Sequence, residues 1–296
     1  MTSAIETFHL GKRFGSVCAV DDLTLSVAQG SVVGLLGPNG SGKTVTMRLL
    51  AGLIKPTSGE FAVFGRLNPY HDTSTRALIG YISQTLEFPQ GLTVESTLGL
   101  CRSLYPSWNE DLQSDLVKRF ELPLSRTTTE LSLGIKLRLA LACALCQRAK
   151  ILLLDEPSGN LDPVIRTEFF QIMADVLAME SPAVLLATHV FSDLERIVER
   201  FIILNLGREH YSDSIDNLCE RYRRVQVIFS DSVPIGFSLK NTIREKSSRR
   251  IHEAVVFPYV EEAVARSCAE AGGSFDAFPI SLEELFVELC GRGKRP

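Results

Sequence analysis

A glycine-rich segment at residues 37–44 has the composition of a phosphate-binding loop. It fits the pattern GxxxxGK[ST] and lies between an apolar run and a helical pattern. Glycines let successive backbone N–H groups point at phosphate oxygens, and the following helix adds the positive end of its dipole. We expect Lys43 to hold the β- and γ-phosphates and Thr44 to give its hydroxyl to Mg²⁺. The loop consists of Gly37, Pro38, Asn39, Gly40, Ser41, Gly42, Lys43 and Thr44.

Two carboxylates, Asp155 and Glu156, directly follow the apolar run ILLL. Ligands of open parallel sheets bind at the C-terminal ends of the strands, so this is a suitable place for chemistry. We expect Asp155 to interact with Mg²⁺ through a water molecule. Glu156 is then positioned to orient or deprotonate an attacking water, which is the task that phosphoryl transfer leaves to a side chain.

Thr188 and His189 end a further apolar run, AVLLA. A single histidine is usually a packing or surface residue. At a strand end beside a phosphate-binding loop, His189 is instead expected to contact a γ-phosphate or the attacking water.

The elements that position these groups are predicted from apolar periodicity. Continuous apolar runs predict strands buried on both faces of a parallel sheet, at residues 31–36, 151–154, 183–187 and 201–205. Helices are predicted at 45–53 and at 163–179, where Pro163 suits a first turn. The fold class is therefore α/β.

Three other regions have different patterns. Alternation over residues 5–27 predicts an antiparallel β portion, and the polar stretch 85–126 predicts short helices in a subdomain. After about residue 213, strand-like segments and a helical segment predict a small C-terminal α+β domain. Those segments are residues 225–229, 253–257 and, for the helix, 260–270.

Composition excludes several classes of protein. The chain has 296 residues, enough for about two domains. Its net charge of −4 has the wrong sign for a protein that coats nucleic acid. Apolar stretches are shorter than the roughly 18 residues of a membrane span, and no secretory signal is recognisable. We expect a cytoplasmic protein.

Seven cysteines, an odd number, favour free thiols in a reducing compartment. Cys143 and Cys146 form a CxxC pattern within the apolar run LALACALC. Because no second pair or nearby histidine completes a zinc site, we interpret both as helix packing residues.

The segment LSLGIKLR at 131–138 precedes Asp155 closely and resembles the signature of ABC-type ATPases. That signature reads LSGGQ or, in an export branch, LSxGxKxR. The residues that match are Leu131, Ser132, Gly134, Lys136 and Arg138, whereas Leu133 and Ile135 differ from the commoner Gly and Gln.

This resemblance implies a P-loop NTPase core and ATP with Mg²⁺ as cofactors. It implies that Phe14 stacks on adenine and that Gln84 joins Mg²⁺ and the attacking water to a helical subdomain. Residues 158–162, including Asn160, resemble the loop that communicates between two subunits. Ser132 and Gly134 would face the nucleotide held by the P-loop of another subunit.

The resemblance also implies partners. These are a second ATPase subunit, identical or related, and a separate transmembrane permease that places the chain at the inner face of the membrane. The expected domains are an ATPase domain at 1–212, with a helical subdomain at about 85–147, and an accessory domain at 213–296.

The segments YPSW at 105–108 and SLEELFVEL at 281–289 resemble ATP-binding subunits of ABC-2-type exporters. We therefore expect an exporter ATPase. The alternatives are an importer ATPase with a C-terminal regulatory domain and a soluble, non-transport ABC-type ATPase. Trp108 either anchors the helical subdomain or contacts a membrane partner.

Overall fold

The computed structural model describes residues 3–159, 161–195 and 197–290, with the backbone alone at 179, 192 and 193. The chain divides into two compact units, Met1–Ser212 and Asp213–Pro296.

The strands up to this boundary region are β1 (Ser3–Phe14), β2 (Val17–Leu23), β3 (Ser26–Ala28), β4 (Val32–Leu36), β5 (Ser58–Val63), β6 (Arg66–Leu67), β7 (Ile79–Ile82), β8 (Ile151–Asp155), β9 (Ala183–Ala187), β10 (Arg200–Asn205) and β11 (Arg208–Ser214). The helices are α1 (Lys43–Leu50), α2 (Thr73–Arg76), α3 (Val94–Leu104), α4 (Glu110–Arg119), the 3₁₀ helix Thr128–Glu130, α5 (Leu133–Cys146), α6 (Pro163–Glu180) and α7 (Phe191–Leu194).

The central sheet has the order β11-β10-β4-β9-β8-β7, and the strands from β10 to β7 are parallel. Every residue of β4, β8 and β9 is buried, which explains their continuous apolar sequences. The four predicted strands are confirmed, with boundaries shifted by at most one residue. The sequence interpretation missed β7, because its four residues include Gly80 and Tyr81. Gly80 is required there because a Cβ atom would lie 2.8 Å from the Ala144 side chain of α5.

An antiparallel sheet of order β2-β1-β5-β6, with β3 paired to β1, confirms the predicted antiparallel portion. Its buried residues, such as Ile5, Leu23 and Phe61, share one apolar core with Leu35 of β4 and Leu153 of β8. The two sheets of this unit are therefore held together by a common core.

Helix α1 overlaps the helix predicted at 45–53 but starts earlier, at Lys43, and ends at Leu50. The predicted start was wrong because Gly42, with a φ of 105°, is the residue that precedes the first turn. Helix α6 confirms the prediction at 163–179 and begins with Pro163, as expected. Helices α3 and α4 lie in the polar stretch 85–126, capped by the side chains of Thr93 and Asn109.

The second unit contains α8 (Ile215–Arg221), β12 (Arg223–Phe229), β13 (Thr242–Ser247), β14 (Ile251–Val256), α9 (Glu261–Ala271), β15 (Gly273–Pro279) and α10 (Leu282–Cys290). Its antiparallel sheet has the order β13-β14-β12-β15. Val225 and Val227 of β12 pack with Val264 and Cys268 of α9 in a separate core. The predicted α+β fold of this region is confirmed.

No helix within the described residues is both long enough and apolar enough to span a bilayer.

Candidate active site

The glycine-rich loop joins the end of β4 to the start of α1, as a phosphate-binding loop requires. Lys43 and Thr44 are consequently the first two residues of the helix. Gly42 precedes them, and a Cβ atom on it would lie 2.4 Å from the carbonyl oxygen of Ala19 in β2. The hairpin of β1 and β2 therefore lies directly against this loop.

The ammonium group of Lys43 is buried and faces both the loop and the carboxylate of Glu156. Its Nζ donates to the Gly37 carbonyl at 2.8 Å and to the Pro38 carbonyl at 3.4 Å, and lies 3.8 Å from Glu156 Oε1. Burial lowers the pKa of Lys43, and the carboxylates of Glu156 and Asp155 oppose that change. This arrangement holds a positive charge at the place where phosphates are expected.

The Asp155 carboxylate accepts hydrogen bonds on both oxygens. Thr44 Oγ1 donates to Oδ1 at 3.1 Å, and the Tyr81 hydroxyl donates to Oδ2 at 3.3 Å. Burial raises the pKa of Asp155, while these two hydrogen bonds lower it. Thr44 and Asp155, which we expected to share a Mg²⁺ ion, are thus in direct contact.

Tyr81 is a residue of this site that the sequence interpretation missed. It lies in β7, where its register partner in β8 is Leu153, two residues before Asp155. The only sequence signal was its place three residues before Gln84 in the segment YISQ.

Glu156 and His189 come together at the ends of two neighbouring strands. Glu156 Oε2 lies 2.6 Å from His189 Nδ1 and also accepts from the His189 backbone N–H at 3.3 Å. Glu156 is 8% exposed, and its φ of 51° is in the left-handed region. A non-glycine residue rarely adopts that conformation, and such conformations concentrate at functional sites.

Gln84 is exposed and lies in the turn that follows β7. The register of β7 with β8 pairs Ile82 with Leu154, so the chain positions two residues further on are Gln84 and Glu156. Gln84 is therefore at the same edge of the sheet as the two carboxylates.

Phe14 is the last residue of β1 and has a half-exposed ring. The ammonium of Lys12 lies 4.9 Å from the ring centroid, and Val17 of β2 is its register partner. An exposed aromatic face at the end of this hairpin is suited to stacking against a planar base.

Ser132 caps α5, and its Oγ accepts from the Ile135 backbone N–H at 3.4 Å. The helix begins at Leu133, so Gly134 lies in its first turn. A Cβ atom on Gly134 would lie 2.9 Å from the Ile165 side chain, which shows how closely α5 approaches α6. Within the described residues, no hydrogen bond or ion pair joins Ser132 or Gly134 to the loop at 37–44.

Residues 158–162 lead from the end of β8 into α6. Ser158 is fully buried, and Asp162 caps α6 by accepting from the backbone N–H groups of Val164 and Ile165. Asn160 lies outside the described residues.

The site fits a nucleotide phosphate with a divalent cation. Ser41 Oγ is buried in the loop and has no hydrogen-bond partner among the described residues. A Cβ atom on Gly40 would have no neighbour within 4 Å, so the loop backbone there is open to a ligand. Hydroxyl and carboxylate oxygens, as on Thr44 and Asp155, are the donors that Mg²⁺ prefers.

Comparison with known proteins agrees with this geometry. The ABC transporter family model matches residues 20–159. The ABC transporter ATP-binding protein YtrB of Bacillus subtilis (strain 168) is 29% identical over 98% of this chain and 99% of its own length. The Nod factor export ATP-binding protein I of Rhizobium leguminosarum bv. viciae is 30% identical over 98% of this chain and 95% of its own length.

A solved structure described as the ATP binding subunit of an ABC transporter aligns with a TM-score of 0.66 and 27% identity. It covers 73% of this chain and 91% of its own length. The resemblance carried by the segment at 131–138 is thereby confirmed. The chain is an ATPase that belongs to the family of ABC transporter ATP-binding proteins.

Proposed function

We propose that this ATPase drives export through a separate membrane-spanning permease, with Mg²⁺ bound beside ATP. The observation that carries the chemical part is the convergence of Lys43, Thr44, Asp155, Glu156 and His189 at one edge of the parallel sheet. Export is supported by the Nod factor export protein, whose similarity to this chain extends over nearly the whole length of both proteins.

In this proposal, each side chain of the site has a defined role. Lys43 binds the β- and γ-phosphates, and Phe14 stacks on the adenine. Thr44 and Asp155 hold Mg²⁺, directly and through water respectively, and Gln84 completes that set. Mg²⁺ supplies positive charge that stabilises the phosphoryl group during transfer.

Glu156 orients the attacking water and accepts its proton, since one carboxylate oxygen faces Lys43 and the other faces His189. His189 fixes the orientation of this carboxylate and contacts the γ-phosphate through its exposed side. The imidazole is 57% exposed, so it is accessible to a ligand.

We further propose that the site is completed by Ser132 and Gly134 of a second ATPase subunit. The support is that Ser132 lies at the N-terminus of a 14-residue helix and is exposed, yet makes no described contact with its own phosphate-binding loop. A helix N-terminus favours anions, so it is suited to the γ-phosphate of a partner.

The remaining assignments follow from the same family. Residues 1–212 form the ATPase domain, in which the part at about 85–147 is the helical subdomain that meets the permease. Residues 213–296 form an accessory domain. The permease holds the chain at the inner face of the membrane.

Site-directed crosslinking tests the shared site. Ser41→Cys and Ser132→Cys are introduced into Glu156→Gln protein from which the native cysteines have been removed. We expect a crosslink between chains that depends on ATP, because each loop then faces the partner's α5. A crosslink within one chain, found by mixing tagged and untagged protein, contradicts the shared site.

The direction of transport is tested on the assembled transporter. We expect a membrane-spanning protein to co-purify with the chain from its native membranes. We expect no extracytoplasmic binding protein in the same preparation. Co-purification of such a binding protein would support the importer alternative instead.

A further inference from the structure

Helices α3 and α5 bring two thiols together, and both thiols are distant in sequence from the phosphate-binding loop. Cys101 lies in α3 and Cys143 in α5, and their Sγ atoms are 3.7 Å apart although 42 residues separate them. Both residues are partly exposed, so a small solute reaches them from the solvent. Each cysteine within the described residues is a free thiol.

The surroundings make the two thiols unequal. A hydrogen bond with Cys143 lowers the pKa of Cys101, and the same hydrogen bond, together with burial, raises the pKa of Cys143. Cys146, one turn further along α5, is fully buried, and burial raises its pKa to about 12. Cys101 is therefore the thiol of this group with the most thiolate character, and the thiolate is the nucleophile.

We propose that Cys101 and Cys143 are a modification site at which a hydroperoxide forms a reversible disulfide between α3 and α5. A disulfide has a sulfur–sulfur distance of about 2.05 Å. The two sulfurs must approach by somewhat less than 2 Å, which is within the range of side-chain rotation.

With hydrogen peroxide as the hydroperoxide, the chemistry needs one peroxide molecule for each disulfide. The Cys101 thiolate attacks one peroxide oxygen, the O–O bond breaks, and the sulfur becomes a sulfenic acid as the first water leaves. Cys143 then attacks this sulfur, its proton leaves with the hydroxyl group as a second water, and the S–S bond forms. Two thiols are oxidised and one peroxide is reduced to two waters.

The consequence is a closed covalent ring that contains α4, the 3₁₀ helix and most of α5. Ser132 lies within this ring, at the N-terminus of the helix that also carries Cys143. Oxidation therefore fixes the segment that bears Ser132 against α3, and a thiol reductant releases it.

The test uses the full-length chain carrying Cys219→Ser, which removes the exposed cysteine of the second unit and with it unwanted links between chains. The protein is treated with hydrogen peroxide, and its peptides are mapped by mass spectrometry without reduction. We expect a peptide pair linked through Cys101 and Cys143, the loss of two free thiols, and full reversal by dithiothreitol. The thermal midpoint should rise by several degrees, since the link closes a loop of about 40 residues.

Three variants keep the assignment specific. With Cys143→Ser, Cys101 should remain as a sulfenic acid that dimedone labels. With Cys101→Ser, labelling and thiol loss at Cys143 should be at least tenfold slower. Cys268→Ser, in the core of the second unit, is the matched control and should oxidise like the parent protein.

Two results would overturn the proposal. One is a link between Cys143 and Cys146 in place of the expected pair. The other is retention of the Cys101 and Cys143 thiols under conditions that oxidise Cys219 in the chain without the Cys219→Ser substitution.

Discussion

The carboxylate of Glu156 and the imidazole of His189 lie 2.6 Å apart at the ends of adjacent parallel strands. The register of β8 with β9 pairs Asp155 with Ala187, so the segments that follow these two strands leave the sheet side by side. The backbone N–H of Glu156 donates to the Ala187 carbonyl at 2.8 Å, which holds this exit in place. Strand pairing therefore places Glu156, the residue that we assign to the attacking water, beside His189.

Replacement of Glu156 by glutamine should separate binding from hydrolysis. Glutamine keeps the size and hydrogen-bonding shape of the side chain but does not accept a proton. We expect phosphate release to fall by about 10²- to 10⁴-fold while ATP binding is retained. Glu180→Gln, at the exposed end of α6, is the matched control and should hydrolyse ATP normally. Near-normal phosphate release by Glu156→Gln would exclude the assigned role.

Replacement of Lys43 by alanine should weaken nucleotide binding itself. Hydrogen bonds to charged groups contribute about 1.5–3 kcal/mol, so we expect ATP affinity to fall about 10- to 150-fold. Isothermal titration calorimetry measures this directly. Lys150→Ala removes a charge of the same sign from an exposed position and should leave the affinity unchanged. Equal affinities of the Lys43→Ala and parent proteins would show that the ammonium does not contact phosphate.

Tyr81→Phe tests the hydrogen bond to Asp155. The phenylalanine ring fills the same space but leaves Asp155 Oδ2 without its donor. Loss of a residue that hydrogen-bonds to a metal ligand usually lowers metal affinity by about 10- to 100-fold. Because the contact between Tyr81 and Asp155 is long, we expect an effect at the lower end, which is about a tenfold higher half-saturating Mg²⁺ concentration for ATP binding. Tyr70→Phe, which also removes a hydroxyl contact from a partly buried ring, is the control.

An unchanged Mg²⁺ dependence in Tyr81→Phe protein, measured by fluorescent nucleotide titration, would mean that Tyr81 only packs. The same titration in Tyr70→Phe protein should match the parent protein. The Tyr70 hydroxyl donates to Asn68, which in turn donates to Glu60, and both of these residues lie outside the phosphate-binding loop.

Much of the scaffold was predictable because burial on both faces leaves a continuous apolar sequence. Strands β4, β8, β9 and β10 have that pattern. Strand β7 does not, because Gly80 leaves room for α5 and Tyr81 donates a hydrogen bond to Asp155. Local sequence carries no record of either requirement, since the partners of these residues are distant along the chain.

The same distinction applies to the site. The loop at 37–44 and the acidic pair after β8 were recognised from types and spacing, and Gln84 from the family resemblance. The contact between Tyr81 and Asp155 joins positions 74 residues apart, and that between Glu156 and His189 joins positions 33 apart. Such contacts depend on strand order and register, which no periodicity within a single segment determines.

Two glycines of the phosphate-binding loop should respond differently to alanine. Gly40 has a φ of 80° and would place a Cβ atom in open space, whereas Gly42 has a φ of 105° and would place it 2.4 Å from the Ala19 carbonyl oxygen. Left-handed backbone costs a non-glycine residue about 1–2 kcal/mol, so Gly40→Ala should lower the thermal midpoint by a few degrees. Gly42→Ala adds a collision with the backbone of β2, which side-chain rotation does not relieve.

We therefore expect Gly42→Ala to lower the thermal midpoint clearly more than Gly40→Ala, as measured by differential scanning calorimetry of the full chain. Gly99→Ala in α3 is the control for alanine replacement without either penalty, because its Cβ would have no neighbour within 4 Å and its backbone is helical. That variant should be as stable as the parent or slightly more stable, since alanine favours helix more than glycine does. Equal losses at Gly40 and Gly42 would show that β2 yields to the added methyl group, and that the hairpin bearing Phe14 is not held against the loop as the structure places it.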